Sequence, residues 1–381
     1  MRGKIATIIT QLEFGGAQIH ALQICKALAK EGYENLLISG VRDYLDSEAD
    51  NLPSTVHINV KQMIRPINPL KDAIALYRIF KILKKEKPIA VFTHSSKAGI
   101  IGRWAAWLAG IPVRVHTIHG FGITPLQSPL KRKILLTTER ITSMITTYFL
   151  PVGKETLKKG QKWKIINKKN YRIVYSGIAL ERFSNVKVKK EEKLREIGAD
   201  PELPVVGTVA CFKPQKAPLD FVKMAAEVLN RTQAQFIMVG EGVLKKKAEE
   251  FANRLGIKEK MVFTGWREDV EEIMSTFDVF VLTSLWEGLP RVIPEAMAAG
   301  KPVVASAIDG NKEAILDGIT GFLVPPSSPE LFAEKVVYLL NNPEIRKKMG
   351  EEGRKRAKIF SVEEMEKAYI NLLTELIPSN A

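Results

Sequence analysis

Cysteine is scarce in this chain of 381 residues, which has only Cys25 and Cys211. Two distant thiols exclude a disulfide framework and a cysteine-based metal cluster. The expectation is therefore a cytoplasmic protein. Long apolar runs are missing too: none approaches the roughly 20 residues that would span a bilayer. Met1-Arg2-Gly3-Lys4 ahead of Ile5-Ala6-Thr7-Ile8-Ile9 has the outline of a signal peptide. The apolar part is short and no cleavage site follows, so a first buried strand is expected instead. Phe14-Gly15-Gly16-Ala17 follows that strand without forming GxGxxG, so no dinucleotide fingerprint is supported. The sequence also has no DxD triplet to hold a metal, no internal repeat and no low-complexity tract.

Acidic residues are sparse in one half only. Residues 1–170 hold 27 Lys and Arg against 11 Asp and Glu, a balance of +16. Residues 171–381 hold 30 against 31, a balance of −1. Such asymmetry suggests a polyanionic or membrane-surface partner for the first half. The plainer reading is a solvated basic face. The remaining composition, 45 % hydrophobic and 26 % charged, is that of a globular chain long enough for two domains.

Apolar runs alternate with helical stretches along the whole chain, the pattern of βα units and parallel sheets. Strands are expected at Ile5–Ile9, Ala90–Thr93, Val113–Ile118, Ile173–Gly177, Val205–Ala210, Gln235–Val239, Met261–Gly265 and Val279–Leu282. Helices are expected at 18–30, 134–150 and 360–377, the second amphipathic.

The densest signal is Ser284 to Gly300, SLWEGLPRVIPEAMAAG. A buried strand ends before it, Gly288 and Pro290 make a turn, and a helix is expected from about Arg291 until Gly300-Lys301-Pro302 stops it. A helix start offers free backbone N–H groups to an anion. Glu287 and Glu295 flank it, and a carboxylate can accept two hydroxyl hydrogen bonds. Diphosphate on the helix, ribose on one glutamate and hexose on the other would make a nucleotide-sugar site. Without further context, Glu287 reads as a solvated loop residue and Glu295 as a first-turn acid favoured by the helix dipole.

Elsewhere, His94-Ser95-Ser96-Lys97 opens a helix after a strand and favours an anion, or simple capping by a serine. His119 follows directly from a strand's C-terminal end, where parallel α/β sheets bind ligands. His116, inside the strand, reads as structural. Lys154 to Lys169 adds seven lysines and one Glu to the basic half.

Glu287 and Glu295, with seven residues between them and followed by a small-residue helix, resemble the E-x7-E signature of the retaining GT-B glycosyltransferases of family 4. Asp278 and Glu287-Gly288-Leu289-Pro290 fit the same pattern. The resemblance covers nearly the whole chain. It implies an α/β architecture, the GT-B fold, with two Rossmann-like domains facing across a cleft. An N-terminal acceptor domain would span 1–175 and a nucleotide-sugar domain 176–360, with a helix at about 361–381 crossing back. It implies transfer of a hexose or N-acetylhexosamine, with retention and without a metal, from a nucleoside-diphosphate sugar, UDP the leading candidate. His119, Glu287 and Lys216 would be catalytic. Gly16, Cys211, Lys213, Gly240, Gly242, Trp266, Arg267, Gly288, Leu289, Pro290 and Glu295 would join Lys216 and Glu287 around the donor. Cys211 stands where the family commonly has Arg, a contact Lys213 would have to replace. Gln18 stands where members often have Glu, and Ser176 where Asn is usual.

The stretches TxHSSKAG, HTIHGF and SPLKRK resemble the branch that extends sugars on polyprenyl-diphosphate carriers. Gly15, His94, Ser95, Ser96, Lys97 and Arg103 would then face the acceptor. The basic first domain would rest on the inner face of the cell membrane, with no nucleic-acid partner expected. A sugar-nucleotide 2-epimerase on the same scaffold and a non-catalytic nucleotide-sugar sensor are the alternatives.

Overall fold

The computed structural model describes residues 2–123, 127–166 and 169–377. Thr124–Leu126 of the irregular stretch, Lys168 of the basic run and the tail expected to extend the closing helix lie outside the described residues. The chain divides into two compact units. Unit 1 is residues 1–177 with 362–381; unit 2 is residues 178–361.

Unit 1 is built on six parallel strands: β1 (Lys4–Ile8), β2 (Glu34–Ser39), β3 (Thr55–Asn59), β4 (Ala90–His94), β5 (Val113–Ile118) and β6 (Tyr148–Pro151). Their order is β3-β2-β1-β4-β5-β6. Both faces are covered, as a parallel sheet requires. Side chains alternate across each strand, so Ala6 and Ile8 of β1 point to one face and Ile5 to the other. The first face packs on helices Pro69–Glu86 and Ser96–Leu108 through Ile79, Leu83, Ile101 and Ala105. The other packs on helix Gly16–Lys30 and on the closing helix Val362–Leu376. Met365, Tyr369, Leu372 and Leu373 make one helical stripe there, fully buried at 0–2 % exposure.

Unit 2 repeats the plan. Its strands are β7 (Val205–Val209), β8 (Gln235–Val239), β9 (Met261–Gly265), β10 (Val279–Leu282), β11 (Val303–Ser306) and β12 (Gly321–Val324). The order β12-β11-β10-β7-β8-β9 is the unit 1 order read from the other edge, and every pairing is parallel. Helices Pro218–Leu229 and Pro329–Asn341 cover one face through Phe221, Val222, Phe332 and Val336.

In both sheets the strand order reverses beside the first strand, between β1 and β4 and between β7 and β10. Loops diverge at such a point and leave a crevice at the strands' C-terminal ends, the usual ligand position in this architecture.

Three expected elements differ from what forms. Ile173–Gly177 is not a strand. Arg172 and Val174 donate to Phe149 and Pro151 of β6, and the pairing stops where that four-residue strand ends. The helix expected to run to Leu150 covers Pro129–Ser143, because the β-branched and aromatic run from Ile145 to Phe149 favours β6 instead. The helix after Pro290 is short, Val292–Ala298.

Candidate active site

In unit 2 the loops leaving β7 and β10 are stitched together. After β7 the chain makes a 3-10 turn, Pro214–Lys216, and Ala217 takes a left-handed φ of 44°. Thr283, just past β10, donates its hydroxyl to the Lys216 and Ala217 carbonyls at 3.1 Å. Leu285 N–H donates to the Gln215 carbonyl at 2.8 Å, and the Gln215 amide returns a bond of 2.8 Å to the Trp286 carbonyl. This clamp delivers Lys216 Nζ onto Glu287 Oε1 in a short ion pair, while Gln215 donates to Glu287 Oε2 at 3.3 Å. The pair is nearly dry: the side chains are 15 % and 7 % exposed.

Glu295 has different neighbours. Arg291 Nε stands 3.7 Å from it, one helical turn back, a charge contact longer than a hydrogen bond. Burial pushes the Glu295 carboxyl up, against the pull of Arg291 and Arg182. Among the described residues its oxygens keep hydrogen-bond accepting capacity, as a polyol site needs. Arg182, itself bonded to Glu271 at 2.8 Å, and Arg291 were not anticipated from the sequence. The four-residue spacing of Arg291 and Glu295 was the available signal.

The 240–242 turn closes the floor. Gly240 and Gly242 have φ of 137° and 150°, and a Cβ on them would lie 2.1 Å from the Ala210 carbonyl and 2.5 Å from that of Phe212. Only glycine permits that approach. Cys211 and Lys213 are exposed on the loop so supported. Gly288 adjoins the buried Leu289 and Pro290. Trp266 is half exposed. Arg267 bonds Asp269 at 2.7 Å and also pairs with Glu196.

In unit 1 the corresponding loops follow β1, β4 and β5. Gly15 and Gly16 open the helix after β1. Ser95 holds φ 65° and ψ 156°, a region normally left to glycine. Its hydroxyl lies 2.6 Å from that of Thr10, which fixes the strain in place. Ser96 accepts from Gly122 N–H at 3.2 Å. His94 is fully buried, and its Nδ1 lies 3.0 Å from Nε2 of the partly exposed His119. Burial, reinforced by His119, holds the His94 imidazole well below its ordinary range, so it is neutral. His116 is buried against Thr93, 2.9 Å from its hydroxyl.

Two cations expected at the acceptor are turned inward. Arg103 is wholly buried: it donates to the Gly99 carbonyl at 2.6 Å, to Thr146 at 3.0 Å and to Glu139 at 3.0 Å. A guanidinium so committed holds the interior together and cannot greet an acceptor. Lys97 bonds Asp72 at 2.7 Å and the Pro66 carbonyl. Both were expected at the surface because sequence alone does not show which acid a cation meets.

Two parallel sheets of one topology, with a Lys–Glu pair and a second glutamate at a switch point, define a nucleotide-sugar transferase architecture. The chain belongs to the family 4 glycosyltransferases. Residues 14–182 match the model of Glycosyltransferase Family 4, and residues 189–356 that of Glycosyl transferases group 1. It is 32 % identical over 347 residues to the UDP-Gal:alpha-D-GlcNAc-diphosphoundecaprenol alpha-1,3-galactosyltransferase of Escherichia coli, covering 89 % of this chain and 88 % of that one. It is 26 % identical to the capsular polysaccharide biosynthesis glycosyltransferase CapM of Staphylococcus aureus, covering 83 % and 86 %. The fold matches Anabaena HepE in complex with UDP and glucose at a TM-score of 0.83, with 18 % identity over 98 % of this chain and 100 % of that one. WaaG, a glycosyltransferase involved in lipopolysaccharide biosynthesis, matches at 0.78, with 18 % identity over 97 % and 99 %. The GT-B fold and the transferase activity expected from the sequence are thereby established.

Proposed function

We propose that this glycosyltransferase moves a hexose or N-acetylhexosamine from a UDP-sugar to a polyprenyl-diphosphate-linked glycan, with retention of configuration. The observation that carries the reading is the Lys216–Glu287 pair beside Glu295 at the switch point of unit 2. Departure of a diphosphate needs positive charge, and Lys216 supplies it electrostatically. Glu287 and Glu295 divide the sugar and ribose hydroxyls between them. With Lys216 and the exposed Lys213 on the phosphates, the transfer needs no metal. Glu287 is held for positioning by Gln215 and Lys216, so the leaving phosphate itself accepts the acceptor's proton. In unit 1, His119 is the candidate catalytic residue, and Gly15, Ser96 and the loop after β4 serve the acceptor. The lipid-linked acceptor is supported by the Escherichia coli relative, whose name states one.

Membrane contact is part of this reading. In helix Pro129–Ser143 the exposed apolar residues Leu130, Ile134 and Ile141, with Met144 just beyond, recur at helical spacing beside Lys131, Arg132 and Lys133. No helix among the described residues is long and apolar enough to cross a membrane. The stripe suits a helix lying in the interface, on the cytoplasmic face where such donors are made.

The test is direct. Purified protein should be stabilised thermally by UDP more than by GDP or ADP. It should then transfer label from a UDP-hexose to a polyprenyl-diphosphate GlcNAc acceptor, with the α-anomer retained in the product. Conversion of the free nucleotide sugar into its epimer, without transfer, would replace this reading with the epimerase one.

A further inference from the structure

Three histidines meet at the C-terminal end of the unit 1 sheet: His20 from helix Gly16–Lys30, His94 at the end of β4 and His119 from the loop after β5. Their ring centroids are 4.8 to 5.5 Å apart. We infer that His94 is a positioning residue for His119: it donates its Nδ1–H to His119 Nε2 and so fixes His119 as the tautomer that carries its proton on Nδ1. This role rests on His119 being the catalytic residue proposed for unit 1.

The place of the proton follows from the two nitrogens of His94. A neutral imidazole has one N–H donor and one bare acceptor nitrogen. His94 is neutral, because it is fully buried. Its Nδ1 lies 3.0 Å from His119 Nε2, a hydrogen bond in which one ring must give and the other take. Its Nε2 is buried with no hydrogen-bond partner among the described residues. Were the proton on Nε2, the ring would bury an N–H that donates to no protein group. In folded proteins a buried N–H without an acceptor is rarer than an acceptor without a donor. The proton of His94 therefore sits on Nδ1 and points at His119. His119 Nε2 can then only accept, and the proton of that ring stays on Nδ1. A charged His119 would set an N–H against an N–H, so the ring works as a neutral imidazole.

The surroundings hold this pair still. His20 packs nearly perpendicular to His119, with ring centroids 4.8 Å apart. It is itself pinned: Nε2 lies 2.8 Å from the Tyr369 hydroxyl, which lies 2.6 Å from that of Thr117, and Nδ1 lies 3.4 Å from the Ser176 hydroxyl. Burial, with the charge of Arg103, holds His116 well below its ordinary range, so that ring brings no second charge to the pair. His94 lies in the interior and acts through His119, whose ring it turns and whose proton it places. A misplacement of about 1 Å at a reacting group costs roughly 100-fold in rate.

Protein labelled with ¹⁵N in its histidines reports the tautomer directly, because protonated and bare ring nitrogens resonate far apart; the His119 signals are those lost in His119→Ala. The wild-type protein should show His119 protonated on Nδ1. In His94→Leu that signature should give way to the other tautomer or to a mixture, and kcat should fall roughly 100-fold while UDP affinity holds. His94→Asn, whose side-chain amide can donate from about the place of Nδ1, should restore most of the rate. Circular dichroism checks that each variant is folded; if His94→Leu is not, the wild-type spectrum decides. His119 protonated on Nε2 in the wild-type protein overturns the inference, as does full turnover in folded His94→Leu, and both leave His119 itself catalytic. Full turnover in His119→Ala would overturn the catalytic reading of His119 and this role with it, so the two failures are told apart.

Discussion

Glu295 and Glu287 show how two like residues eight positions apart come to differ. Glu295 carries a carboxyl raised by burial, whereas Glu287 is locked to Lys216. Replacing Glu295 with Ala removes a charged acceptor worth about 1.5–3 kcal/mol. UDP affinity should fall roughly tenfold or more by calorimetry; unchanged affinity would remove the ribose assignment. The raised carboxyl has a pH consequence. It takes up its proton at a higher pH than an ordinary carboxylate, so on acidification UDP binding should weaken before the usual carboxylate range is reached. The folded protein favours protonated Glu295 and is relieved of a buried charge as pH falls; the charge costs stability above the raised pKa. In Glu295→Gln that part of the binding profile should be flat. For Glu287→Gln and His119→Ala the expected loss is in kcat. UDP affinity should hold, or tighten in Glu287→Gln because Lys216 is released; equal losses of turnover and affinity would merge the two roles. The pair of glutamates was legible from spacing and the Gly/Pro turn. Arg103 was not, because its partner Glu139 lies 36 positions away and only the packing of helix Ser96–Leu108 brings them together.

That buried pair acts between elements, and so does its test. Arg103→Met should cost about 3–5 kcal/mol in denaturant unfolding, because Glu139 is left buried and unpaired. Adding Glu139→Leu should restore most of it; a double variant as weak as the single would mean that Thr146 and Gly99 carry the interaction. The helix Pro129–Ser143 makes the opposite use of its surface. Its apolar stripe faces out, with Leu130 68 % and Met144 84 % exposed. Basic residues near an anionic surface contribute about 1 kcal/mol each. Vesicles with anionic lipid should therefore sediment the protein at low salt and release it at high salt. Changing Lys131, Arg132 and Lys133 to Ser should sharply reduce binding, as should Leu130 and Ile134 to Ser. No binding to anionic vesicles at low salt would turn the stripe over to a soluble partner. The amphipathic character of this segment was readable, but its end was not. The β-branched run that forms β6 has helical apolar spacing as well, and strand pairing with β5 decided it. β2 and β11 escaped notice because short buried strands have no period to tell them from helix interiors, and β3 and β12 because they are short, partly buried edge strands.

For the whole molecule, the charge divides as the units do. Unit 1 holds 29 Lys and Arg against 15 Asp and Glu, or +14, and unit 2 holds 28 against 27, or +1. The repeated βα plan was legible from alternation alone; the shared strand order was not, since pairing between distant strands leaves no local mark. Unit 2 is a single continuous segment, so residues 178–361 expressed alone should melt cooperatively. Deleting residues 362–381 should strip Met365, Tyr369, Leu372 and Leu373 from unit 1, at roughly 1.5–3 kcal/mol for each large side chain. Calorimetry should then show the unit 2 transition alone, and a retained second transition would mean unit 1 stands without its last helix. The position of that helix also orders events at the ribosome. Residues 1–177 emerge first yet lack one wall of their sheet until residue 362 and beyond have been made, 185 residues later. At about 5–20 residues per second this is a delay of roughly 10–40 s. During it the later-born unit can finish while the older one waits with Phe92 and Val115 uncovered. A cell that makes this enzyme must shelter its oldest half the longest.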